Sequence, residues 1–113
     1  MALALNVFQT ITSVVGVNTV GIYTAPVGYT GVVLLAQVAN VDSNTHTLSF
    51  SHKRTSAGIA VTTEIVKDFS IPGNDTVNLL PGKLVLESGD VLVLSASDGT
   101  NLKFIGSILE TLN

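Results

Sequence analysis

Thr30-Gly31-Val32-Val33-Leu34-Leu35-Ala36-Gln37-Val38-Ala39-Asn40-Val41 is the stretch that decides the fold. It is rich in Val and Leu, holds no charge and shows no helical period. Branched side chains suit a pleated strand and cost helix stability. Strand periodicity puts Leu34, Ala36 and Val38 on one side, and Val33, Leu35, Ala39 and Val41 on the other. Apolar residues on both sides imply a strand covered on both faces. Asp42-Ser43-Asn44 then reads as a turn. The following Thr45 to Arg54 alternates cleanly, with Leu48 and Phe50 inward and Thr47, Ser49, Ser51 and Lys53 outward.

The same grammar extends both ways. Upstream, a strand lies within Leu5 to Val14, Gly16-Val17-Asn18 turns the chain, and Val20 to Thr24 runs to the Pro26-Val27-Gly28 break. Downstream, Ser56-Ala57-Gly58 closes one strand and Val61 to Ile71 forms the next. Pro72-Gly73 suggests a type II turn with Gly73 at positive φ. Val77 to Leu80 and Lys83 to Glu87 are short strands split by Pro81-Gly82. Val91 to Ser97 and Leu102 to Leu112 read as a hairpin across Asp98-Gly99, and Gly106 marks a bulge or a close backbone approach. The result is seven to nine strands and no helical period. That pattern predicts an all-β, antiparallel β-sandwich of jelly-roll type, spanning residues 1–113 as a single domain.

Composition narrows the function. Charged residues make up 12% of the 113, and the net charge is −3. The first basic residue is Lys53, and Lys53-Arg54 is the one adjacent basic pair. Neutralising several phosphates takes clustered Lys and Arg, so nucleic acid is not an expected partner, nor is an anionic membrane surface. The longest strongly apolar run, Val32 to Ala36, falls far short of the roughly 20 residues of a spanning helix. Met1 to Leu5 lacks the positive start of a secretory signal. There is no Cys, which removes disulfides, thiolate metal ligands and thiol nucleophiles. A surface built from 13 Thr, 10 Ser and 8 Asn beside abundant Val and Leu is poorly protected against association. It suits a subunit of a homo-oligomer or larger particle better than a free monomer.

Candidate chemical sites are few. His46 and His52 lie six residues apart, about 20 Å along a strand, and cannot share a metal. His52 reads as an edge or interface residue. Asp42-Ser43-Asn44 lacks the remainder of a calcium loop, and Gly16 to Gly21 lacks the Lys of a phosphate loop. No nucleophile elbow occurs. Neither a catalytic residue, a cofactor nor a metal site is expected. The residues assigned to an interface are Tyr23 and Tyr29, which flank the Pro26 turn, and Leu3 and Leu5 of an N-terminal arm, residues 1–5. Deleting that arm should leave the β-fold intact and weaken assembly.

Two segments carry a family resemblance. Ile22-Tyr23-Thr24-Ala25-Pro26-Val27-Gly28-Tyr29-Thr30, followed by Gln37-Val38-Ala39-Asn40, resembles the opening of small β-rich structural proteins of tailed bacteriophages. Leu84-Val85-Leu86-Glu87-Ser88-Gly89-Asp90-Val91-Leu92, with a closing Ser107-Ile108-Leu109-Glu110, is similar to a later segment of the same proteins, including those of marine and cyanobacterial phages. The resemblance implies a virion protein made in the host cytoplasm. Its expected role is capsid decoration or cement, or a head–tail component, bound to its own copies and to other virion proteins such as the capsid shell. The alternative is a receptor- or carbohydrate-binding module of a phage fibre.

Overall fold

The structure, a computed structural model, describes residues 6–113. Leu3 and Leu5 lie outside the described residues. The strands are β1 (Asn6–Val14), β2 (Val20–Thr24), β3 (Tyr29–Asn40), β4 (His46–Ser56), β5 (Ile59–Ile71), β6 (Thr76–Asn78), β7 (Leu84–Leu86), β8 (Val91–Ala96) and β9 (Leu102–Leu112).

Their pairing shows how the sandwich is wound. β1 pairs with β9, β2 with β8, β3 with β6 and β7, and β4 with β5, all antiparallel. The chain is thus one long hairpin with β4–β5 at its tip. Wrapping that hairpin sets β9 beside β3 and β8 beside β4. Two sheets result: β1-β9-β3 flanked by β6 and β7 (sheet A), and β2-β8-β4-β5 (sheet B). This winding is a jelly roll, as the strand count and punctuation predict.

The core lies between the sheets. Leu48, Phe50, Leu92 and Leu94 come from sheet B, and Val33, Val38, Phe104 and Ile108 from sheet A. The rings of Phe50 and Phe104 meet across the sandwich at 6.0 Å, tilted by 34°. In β4 the expected alternation is observed, with Leu48 and Phe50 fully buried.

Four expectations change. First, β3 does not keep one phase. Its pairing with β9 slips between Val33 and Leu35. An inserted residue there makes a bulge and reverses which side chains face in. Val33, Ala36 and Val38 are all buried, while Leu34 turns outward. Second, Pro72-Gly73 is not a turn with Gly at positive φ; the left-handed residue is Asn74, at φ 57°. Gly73 is required for space, because a Cβ would meet the Ser43 carbonyl oxygen at 2.2 Å. Third, Asp98-Gly99 does not close a hairpin, since β8 and β9 belong to different sheets. There the Asp98 carboxylate accepts the Thr100 and Asn101 N–H groups, turning the chain from one sheet to the other. Fourth, His52 is not at an edge, because β4 runs between β8 and β5.

β5 begins at Ile59, two residues earlier than the sequence suggests, so Ala57-Gly58 is a two-residue loop. Both residues have positive φ, 52° and 79°, the signature of a type I′ turn. Ala57 is strained there, at a cost of about 1–2 kcal/mol for an L side chain with a Cβ. Ala57→Asn creates the favoured Asn-Gly pair and should stabilise the hairpin tip by about 0.5–1 kcal/mol. Slower hydrogen exchange at the Ser56 and Ile59 amides is the readout.

Candidate functional site

The two outer faces of the sandwich differ in chemistry. On sheet A, each strand turns alternate residues away from the core. Phe8 of β1 pairs with Leu109 of β9, Leu109 with Val32 of β3, and Val32 with Val85 of β7. Four apolar side chains therefore form one row across four strands. Phe8 is 75% exposed and Val85 55%. Leu34, Ile105 and Val14 extend the apolar surface along the strands. Among the described strand residues of this face, Lys103 is the one charged side chain.

The size of the face matters. Nine residues of β1 at about 3.4 Å each give a length of roughly 30 Å, and four strands about 4.8 Å apart give a width near 19 Å. That is roughly 600 Å² per partner, or about 1,200 Å² in all, the lower end of specific protein interfaces. The apolar row shares that face with Thr10, Thr12, Gln37 and Ser107, so its apolar part is a fraction of the whole area.

The outer face of sheet B is polar. Ser49, Ser51 and Ser95 line a groove of about 400 Å³, with Lys53, Glu64 and Lys67 at its sides. Val93 and Ser51 are sunk in its floor. No aromatic ring lines it. The two outer faces therefore differ, the sheet B face carrying Lys53, Glu64 and Lys67 and the sheet A face the apolar row with Lys103 as its one charge.

The titratable clusters are internal ties. Asp90, immediately before β8, is buried. It accepts hydrogen bonds from Arg54 Nε at 2.9 Å and Nη2 at 2.6 Å, and from the Glu87 N–H at 2.9 Å, and it lies 2.9 Å from His52 Nε2. The bonded Arg54 guanidinium holds its carboxyl well below the usual carboxylate range; His52 and the Glu87 N–H add to this, and burial opposes it. His46 pairs instead with Asp42 at 2.8 Å, so the two histidines serve separate carboxylates. Asn40 is buried and bridges the loops on either side of β4–β5, donating to the Asn44 and Ile71 carbonyls and accepting the Asp42 N–H. Among the described residues, no three His, Asp or Glu side chains converge on a point where a metal ion would sit.

Tyr23 requires a correction. It is a core residue, buried, and its hydroxyl donates to the buried Glu110 carboxylate, which also accepts from Gln9 Nε2 at 2.7 Å. Burial, and then the Glu110 bond and charge, push the Tyr23 hydroxyl above its ordinary pKa. The ring joins β2 to β9 inside the sandwich and is not available to a neighbour. Tyr29 is half-buried at the start of β3, where its carbonyl accepts from Ser88 Oγ at 2.7 Å. Sequence reasoning missed the row of Phe8, Leu109, Val32 and Val85, because its members are strangers in sequence.

No family model and no curated protein matches the chain. Solved structures do. A chain of the T13 viral particle of infectious bursal disease virus superposes with a TM-score of 0.56 at 13% identity, over 97% of this chain and 32% of that one. The Gt strain of the same virus gives 0.56 at 14% identity, covering 96% and 33%. Its VP2 protein in T=1 particles gives 0.51 at 14%, covering 96% and 32%. The chain spans about a third of the length of these viral proteins. At this identity the likeness establishes the fold alone, a two-sheet β-sandwich shared with about a third of each of those chains.

Proposed function

We propose that this chain is a structural protein of a virion, of the tailed-bacteriophage kind its sequence resembles. It decorates or cements the capsid, or sits in the head–tail region, and works by binding its own copies and other virion proteins. The observation that carries the reading is the outer face of sheet A, where an uncharged apolar row crosses four strands. The likeness to viral particle proteins supports it at the level of fold. The Asp90 cluster is assigned no catalysis, because its carboxylate is already engaged by Arg54, His52 and the Glu87 N–H. Synthesis in the host cytoplasm is part of the same proposal.

The double variant Phe8→Glu with Val85→Glu tests the face. Both side chains are exposed, so the isolated fold should change by less than about 1 kcal/mol. Burying Phe8 and Val85 against a partner contributes about 1.5–3 kcal/mol each, so assembly should weaken by at least about a hundredfold. Sedimentation of the purified chain and mass spectrometry of purified particles read the two levels. Unchanged assembly and unchanged particle content would remove the proposal. The polar groove on sheet B favours a second reading, a receptor- or carbohydrate-binding module. Glycan binding retained by the double variant and lost in Ser51→Trp, which fills the groove, would support that reading instead.

A further inference from the structure

The β4–β5 hairpin outruns the sandwich. β4 pairs with β8 as far as Lys53 opposite Val91. Beyond that point Arg54, Thr55 and Ser56 pair only with Val61, Ala60 and Ile59. A two-stranded ribbon alone is marginal in water and gains stability from a third strand or a covered face. On one face of this ribbon Ile59 is 68% exposed and Val61 58%. They share an open concavity with His52, Arg54, Ser56 and Thr63.

β5 is the outer strand of sheet B and has a free edge along its whole length. Natural edges are usually blunted by charge, Pro or bulges. In β5 those devices are confined to the later half, where the register slips twice between Glu64 and Phe69. Glu64, Lys67 and Asp68 cluster there too, with Asp68 at φ 48°. From Thr55 to Thr63 there is no charge and no Pro, and the pairing is regular. The turn sets which backbone groups are free. In a two-residue loop the closing pair, here Ser56 and Ile59, exchanges both hydrogen bonds. Ile59, Val61 and Thr63 therefore direct their main-chain groups at β4, while Ala60 and Thr62 direct theirs away from the sheet.

We propose that the Ile59–Thr63 edge pairs antiparallel with the same segment of a second copy, about a two-fold axis at Val61. This rests on the reading of the chain as a self-assembling subunit but uses a different surface from sheet A. The second copy fits because the edge is self-complementary. Ala60 meets Thr62 of the second copy, so outward donors face outward acceptors in both directions. Val61 meets Val61, and Ile59 meets Thr63, so one apolar stripe crosses the axis. Glu64 falls opposite Gly58, so no like charges are opposed. The two hairpins become one four-stranded sheet.

The chain has no Cys, so a single introduced thiol reports the contact directly. Val61 on the axis would form a non-hydrogen-bonded pair, with Cα atoms about 4.5 Å apart, inside the range a disulfide spans. Under mild oxidation Val61→Cys should become mostly covalent dimer, while Thr12→Cys on the β1 edge stays monomeric on a denaturing gel. Thr62→Pro removes an outward N–H that β4 does not use, so it should keep the fold by circular dichroism and weaken self-association at least tenfold. Dimer formation by Thr12→Cys with none by Val61→Cys, or a Thr62→Pro variant that associates normally, would overturn the pairing. If Val61→Cys fails to cross-link while the chain is still incorporated into particles, this inference falls and the virion reading stands. Incorporation failing as well removes both.

Discussion

Asp90→Ala should lower the stability of the folded chain by about 3 kcal/mol at pH 7. The side chain is 3% exposed and is bonded to Arg54, His52 and the β7–β8 turn at the Glu87 N–H. Removing one member of such a set leaves the others unpaired, which costs about 3–5 kcal/mol when all are buried. Arg54 is partly exposed and water can replace its partner, so the lower end applies. The pH dependence has a definite sign. Folding depresses the carboxyl's pKa, chiefly through the Arg54 hydrogen bond. Its contribution is therefore full above the unfolded value of about 3.9 and is lost as pH falls through the lower folded value. Urea unfolding of the parent and the variant should differ most near neutral pH, and the gap should narrow below about pH 4. A gap that stays constant down to pH 2 would show that the Asp90 charge is not its source.

Phe50→Ala should cost about 3–5 kcal/mol, because the ring is fully buried and truncation leaves a cavity that the sheets cannot close. Phe50 stands on sheet B and Phe104 on sheet A, so their contact is part of what holds the sheets face to face. A domain of this size has about 5–15 kcal/mol in total, so the variant should be near its unfolding threshold at 37 °C. Phe50→Leu restores most of the volume and should lose less than half as much. Equilibrium urea titration decides between them; equal losses for the two variants would mean that the ring's volume is not what the core uses.

Local chemistry made much of the strand content legible in the sequence. Val20–Thr24 and Leu102–Leu112 begin and end where turn residues say they should, and β4 alternates as its side chains require. Period and punctuation are near-neighbour properties, so a single sequence carries them. The same reasoning failed at Leu34, where one inserted residue reverses the faces of a strand that is apolar on both sides. Nothing in Val33-Leu34-Leu35 distinguishes the bulged residue, and the pairing with β9 decides it.

Partners across the fold were not legible. Tyr23 beside a Pro turn looks like a surface residue until Glu110, 87 positions away, brings it an acceptor inside the core. Asp90 and Arg54 are 36 positions apart and meet only because β8 lies against β4. The sheet A face is the extreme case, since Phe8, Val32, Val85 and Leu109 come from four strands and become neighbours only when the long hairpin wraps. By itself the sequence determined that the chain is β and poorly charged. Only the tertiary structure decided which apolar side chains enter the core and which gather on an exposed face, because alternation assigns a side chain to one side of its strand, while strand order and wrapping decide whether that side meets the other sheet or solvent.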